Sequence, residues 1–131
     1  MILPAADELL APVMAIDGFR LACLIDGSTG MVLASRENRE FPVSHDGPAP
    51  PTAAAGAADV INALTLLNGR LATGENLEDV MVTFSDSFFM VRPVGLDQPP
   101  QILLLVIADR QRTNLAMAHR SIRDFCASFT S

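Results

Sequence analysis

Leu21-Ala22-Cys23-Leu24-Ile25 is apolar at every position. Successive side chains of an extended chain leave from opposite faces, so a strand of this composition has no side to give to water. It must be covered above and below. Ile102 to Ala108, the most apolar stretch of the chain, makes the same demand. A sheet built on such strands needs helices on its faces. With 131 residues, 50% hydrophobic and 18% charged, the chain has material for one such core and too little charge for disorder.

The remaining elements follow from spacing and turn chemistry. Residues 3–16 read as a first helix, with Pro4 in its first turn and Ala6, Leu9, Leu10 and Val13 at helical spacing. Pro12 predicts a kink or an early end there. After Asp17-Gly18, the run Phe19–Ile25 and the stretch Met31–Ser35 flank Asp26-Gly27-Ser28-Thr29-Gly30 and read as a β-hairpin. Residues 41–52, with Pro42, Gly47, Pro48, Pro50 and Pro51, read as a loop. A helix is expected over 52–68, with Thr52 as its N-cap and Gly69 near its end. Asp79–Phe84 and Phe88–Pro93 form a second hairpin around Ser85-Asp86-Ser87, and Pro99-Pro100 marks the connection to Ile102–Ala108. Thr113 or Asn114 caps a last helix with Leu115, Ala118, Ile122, Phe125, Cys126 and Phe129 as its buried stripe. The predicted fold is α+β, a single domain over residues 1–131. It is a three-layer α/β/α sandwich around a five-stranded, mostly antiparallel sheet, in the order α-β-β-α-β-β-β-α.

Composition excludes several chemistries. All nine basic residues are Arg. Without Lys there is no Walker A loop, no Schiff base and no pyridoxal anchor. A net charge of -6 and the absence of Trp and Tyr argue against a nucleic-acid partner. No apolar run is long enough for a membrane span, and the N-terminal residues do not resemble a secretory signal, so a cytoplasmic location is expected. Cys23 and Cys126 lie far apart in apolar surroundings and read as buried thiols. Ser44-His45-Asp46 holds the residue types of a triad, but adjacent side chains cannot relay a proton as a triad does. His119 has no metal-binding companion at i±3 or i±4. Asp26 and Asp109 at strand ends are explained by turn capping. Neither an enzyme, nor a metal, nor a cofactor is expected.

What remains is surface. Val60, Ile61, Leu64, Leu67 and Leu71 form one stripe, yet no charge occurs between Asp59 and Arg70; only Asn62, Thr65 and Asn68 are polar. A helix with one face in water should carry more charge, so cover on both sides is expected, the second from another copy of the chain. In 79–84, Val80, Val82 and Phe84 point one way and Met81 and Thr83 the other. At a sheet edge this strand's backbone would be satisfied by the same strand of a second copy, and a two-fold axis there would also join the two helices. The expected homodimer interface is Val60, Ile61, Leu64, Thr65, Leu67, Val80, Met81, Val82 and Thr83. The competing reading is an inner strand, with the helix covered by its own loop. Residues 109–131 carry four Arg against two acids, whereas 1–108 carry five against thirteen. Arg112, Arg120 and Arg123, off the buried stripe, form either a partner-binding face or a solvated one.

Four stretches resemble the roadblock family, named for a dynein light chain and found also in bacteria. They are Asp17 to Gly27, Gly30-Met31-Val32-Leu33-Ala34-Ser35, Glu78-Asp79-Val80-Met81-Val82 through Phe88-Phe89-Met90-Val91-Arg92-Pro93, and Asn114 to Arg120. The resemblance implies a homodimer with a continuous sheet through the third strand and packed second helices. It implies a non-catalytic role, in which the family binds or modulates small Ras-like GTPases or serves as a scaffold or motor light chain. In actinobacteria such proteins accompany a sensor-kinase-like protein and a small GTPase. The alternative is a small-molecule sensor or a longin- or profilin-like ligand-binding domain, with its pocket under the 41–52 loop.

Overall fold

Strand β1 (Phe19–Asp26) buries every side chain from Leu21 to Ile25, and β5 (Ile102–Asp109) every one from Leu103 to Ala108. These two apolar strands pair antiparallel near the middle of a five-stranded sheet of order β2-β1-β5-β4-β3. The other strands are β2 (Val32–Glu37), β3 (Val80–Thr83) and β4 (Ser87–Val94). Three helices, α1 (Ala6–Met14), α2 (Ala49–Leu71) and α3 (Leu115–Ala127), complete the expected order. The computed structural model describes residues 6–43, 49–94 and 102–128.

The pleat sorts the core into two halves. Ala22, Leu24, Met90, Leu104 and Val106 meet Leu10 and Val13 of α1 and Ala118, Ile122, Phe125 and Cys126 of α3. Leu21, Cys23, Ile25, Val91, Leu103, Leu105 and Ile107 meet Ala54, Ala57, Ala58 and Ile61 of α2. Each fully buried Val, Leu or Ile contributes about 1.5–3 kcal/mol, so the doubly covered strands hold the layers together. All the strand pairs are antiparallel.

Three helix boundaries differ from expectation, each for a local reason. Helix α2 begins at Ala49, so Thr52 is not its N-cap. Pro50 and Pro51 fall in its first turn, where N–H groups have no intrahelical partner and proline costs nothing. Part of the expected 41–52 loop is therefore helix. The same helix runs through Gly69 to Leu71 and stops where Ala72 (φ 53°) and Gly74 (φ 72°) turn left-handed. Helix α1 passes Pro12 by only two residues, ending at Met14; residues 3–5 lie outside the described segments. At the far end, Asn114 is the cap, accepting from the Met117 N–H at 3.1 Å. Thr113 instead donates to the Asp17 carbonyl at 3.0 Å. Phe129 lies outside the described residues.

Candidate interaction surface

Strand β3 stands at one end of the sheet, with β4 on one side and, among the described residues, no strand on the other. Along an antiparallel ladder, residues alternate between those that bond the neighbour and those that point away. The Phe84 N–H donates to the Ser87 carbonyl at 2.8 Å and closes the β3–β4 turn. Val82 and Val80 therefore direct their backbone groups to β4, and Met81 and Thr83 direct theirs to the open edge. Val80 and Val82 lie opposite Val91 and Phe89, on the α2 face of the sheet.

Helix α2 packs on β1, β2 and β5. Its seat is Ala54, Ala57, Ala58 and Ile61, small residues that let the helix approach closely; a Cβ placed on Gly30 in the β1–β2 turn would lie 3.6 Å from the Ala55 Cα. The expected stripe is thus split. Ile61 is buried in the protomer and Leu64 half-buried, while Val60, Thr65 and Leu67 are exposed. Leu66, Leu67 and Leu71 are 59%, 52% and 65% exposed. No charged residue lies among them before Arg70. Beyond α2, on the same side of the sheet, Phe84 is 52% exposed and packs on Phe89 with ring centroids 4.7 Å apart.

Between the C-terminal half of α2 and residues 74–79 runs an open groove of about 750 Å³. Leu64, Leu67, Leu71 and Leu77 line it together with the polar Asn68, Glu75, Asn76, Glu78 and Asp79. The exposed leucines of α2, this groove of mixed lining and the Val80, Val82 and Phe89 side of β3 and β4 lie on one side of the sheet, and the groove reaches Asp79 beside the edge strand. Contiguous apolar exposure of this kind is uncommon on a purely solvated surface.

The three arginines near α3 do not form one group. Arg112 precedes the helix, lies 3.5 Å from Asp17 and stacks over the Phe41 ring at 4.9 Å. Arg120 and Arg123 are exposed on α3 itself. Its neighbour His119 has a partner that no local spacing reveals. The imidazole Nε2 lies 2.9 Å from Asp79 Oδ2, which also receives the Arg92 guanidinium at 3.1 Å. Val80, Met81, Met90, Val91 and Ile122 close around this cluster and leave a cavity of about 10 Å³, too small for a substrate.

Other candidate chemistry stays structural. Burial pushes the Cys23 thiol up to about 12 and the Cys126 thiol up to about 11, which disarms both as nucleophiles. The Asp26 carboxyl is held below its usual value by hydrogen bonds from the Ser28 hydroxyl and backbone, as turn capping requires. Among the described residues no group of three His, Cys, Asp or Glu could hold a metal ion. Nor is any helix among them long and apolar enough to cross a membrane. His45 and the centre of the 41–52 loop lie outside the described residues.

No family model matches the sequence, and no curated protein matches it. Solved structures do. MglB in a tetrameric arrangement superposes with a TM-score of 0.79 at 21% identity, covering 99% of this chain and 91% of that one. The gliding protein MglB of Thermus thermophilus gives 0.77 at 21% identity, covering 99% and 92%. A Roadblock/LC7 domain from Streptomyces avermitilis gives 0.75 at 17% identity, covering 95% and 94%. The likeness spans nearly the whole of each chain and is one of architecture.

Proposed function

We propose that this chain, a roadblock-type domain by its fold, works as a homodimeric, non-catalytic module that binds a small Ras-like GTPase and modulates its nucleotide cycle, or scaffolds its signalling complex. One observation carries the reading: the groove that Leu64, Leu67 and Leu71 of the bare α2 face share with residues 74–79 runs to Asp79, beside the edge strand β3. A second copy satisfies both at once, its β3 completing the ladder and its α2 covering the exposed leucines. Val60, Leu64, Thr65, Leu67 and β3 from Val80 to Thr83 then form the interface; Ile61, expected there from the sequence, belongs instead to the protomer's core. The MglB structure in a tetrameric arrangement supports self-association as a habit of this architecture.

The GTPase as partner rests on the roadblock resemblance of the sequence. It fits the chemistry at hand: the chain has no Lys for a phosphate loop, so the nucleotide site belongs to the partner. Arg120 and Arg123 offer a second contact face, suited to an acidic partner; a sensor-kinase-like protein is a further partner implied by the roadblock resemblance. Two buried free thiols suit the reducing cytoplasm.

Sedimentation of the pure protein and pull-down of a co-encoded Ras-like GTPase, with hydrolysis followed in parallel, test the reading. A stable dimer and a changed hydrolysis rate are expected. A monomer, or no binding at roughly tens of micromolar (about 6 kcal/mol of affinity), overturns it.

A further inference from the structure

The edge of β3 limits how a second copy can add to it. Directly opposed residues of an antiparallel pair share a face of the sheet. When the two strands are identical and related by a two-fold axis, one residue must therefore face itself. The β3 range leaves two candidates at its centre, Met81 and Val82.

These two registers are not equivalent. Met81 and Thr83 carry the outward N–H and C=O groups, as the Phe84–Ser87 bond establishes. With Val82 on the axis, Met81 faces Thr83 of the partner subunit, and every outward group of β3 is paired within the strand itself. With Met81 on the axis, Thr83 faces Asp79, outside the strand, whose side chain already holds Arg92 and His119. That register also sets Phe84 against the carboxylate of Glu78. Val82 on the axis instead sets Val80 against Phe84 of the partner subunit, on the α2 side of the sheet. There the groove floor of Leu64, Leu67, Leu71 and Leu77 adjoins the start of β3.

We propose that the groove beside α2 is completed by a second copy, with Phe84 of the partner subunit seated in it and Val82 on the two-fold axis. This rests on the dimer reading above and specifies its register and its anchor. Each ring lies between its own Phe89 and the leucines of the other copy. A half-exposed aromatic that enters a pocket at the centre of an interface is the kind of residue that dominates association. The protomer's groove is an incomplete site, and the dimer contains two such seats related by symmetry.

Cysteine cross-linking reads the register directly. Val82→Cys and Met81→Cys are prepared separately and exposed to oxidised glutathione; free thiols are then blocked before non-reducing electrophoresis. Native Cys23 and Cys126 are buried and stay silent. Val82→Cys is expected to form the cross-linked dimer and Met81→Cys to stay uncross-linked, since offset positions are too far apart for a disulfide. In the same background Phe84→Ala should raise the dimer dissociation constant about tenfold or more, while Phe84→Leu retains most of the affinity. Cross-linking by Met81→Cys alone, or an unchanged dissociation constant in Phe84→Ala, overturns this register and anchor while the dimer stands. A wild-type monomer at all concentrations overturns the dimer reading and this inference together.

Discussion

Asp79 Oδ2 accepts from both Arg92 on β4, at 3.1 Å, and His119 on α3, at 2.9 Å. One carboxylate at the start of the edge strand thus ties a neighbouring strand to a helix on the face opposite α2. Arg92 is the most shielded of the three side chains, at 19% exposure. Truncating the acid leaves that cation short of a partner. Asp79→Ala is expected to destabilise the protomer by roughly 1–2 kcal/mol in urea unfolding. The coupling of Asp79 with His119, from a double-mutant cycle, should stay below about 1 kcal/mol, because both groups are more than a third exposed. A coupling well above that would mean the pair is shielded more deeply than its exposure indicates.

The exposed and buried halves of α2 predict different consequences for the same chemical change. Ile61 is 4% exposed within the protomer, so Ile61→Asp buries an unpaired carboxylate and should unfold the domain or cost it several kcal/mol. Leu67 faces outward, and Leu67→Asp should leave the circular dichroism melt of the fold intact while halving the mass seen by light scattering. A Leu67→Asp protein that remains dimeric would place the interface away from this helix.

Gly18 links α1 to β1 with φ at +90°, a region that costs an L-residue strain. A Cβ at this position would also collide with the Thr113 Oγ1, whose hydroxyl donates to the Asp17 carbonyl. Gly18→Ala should therefore cost about 1–3 kcal/mol. Adding Thr113→Ala removes the worst contact but leaves the Arg112 Cβ and Thr113 N at 3.3 Å, the backbone strain and the loss of the hydroxyl's bond to Asp17, so stability should recover only in part. Denaturant midpoints of the single and double variants measure both contributions.

The two thiols should govern the alkaline limb of stability. Both are raised in the folded chain, from 9.0 to about 12 for Cys23 and about 11 for Cys126. The folded state then holds its thiol protons more tightly than the unfolded one. Their contribution is fully present below pH 9 and is lost as pH rises toward 11–12. No Lys or Tyr side chain titrates in this window. Unfolding free energy should fall between pH 9 and 12, and Cys23→Ala should flatten that fall. At pH 8 a thiol reagent should modify neither cysteine until the chain unfolds. Prompt reaction in the folded protein would contradict their burial.

Some readings of the chain depend on neighbours in sequence and others on neighbours in space. The doubly covered strands were legible because β1 and β5 have no polar side to offer, whatever packs on them. The Asn114 cap and the Asp26 turn were legible because their bonds reach only two or three residues away. The start of α2 was missed because a Pro pair reads as a breaker unless it sits in a first turn. Of the α2 stripe Val60, Ile61, Leu64, Leu67 and Leu71, only Ile61 joins Ala54, Ala57 and Ala58 in the seat; hydrophobic spacing identifies an apolar face but not which apolar face meets the sheet.

The sequence alone determined the number, type and order of the elements, the absence of Lys-based chemistry, and the presence of an ionically bare helix, since these follow from residue identity and short-range periodicity. Tertiary structure alone decided that β3 is an edge, that Met81 and Thr83 present its open backbone, that Arg112 parts from Arg120 and Arg123, and that His119 meets Asp79 across 40 residues. Strand order and cross-chain contacts are settled by which surfaces pack best once the whole chain has collapsed, and no local pattern records that competition.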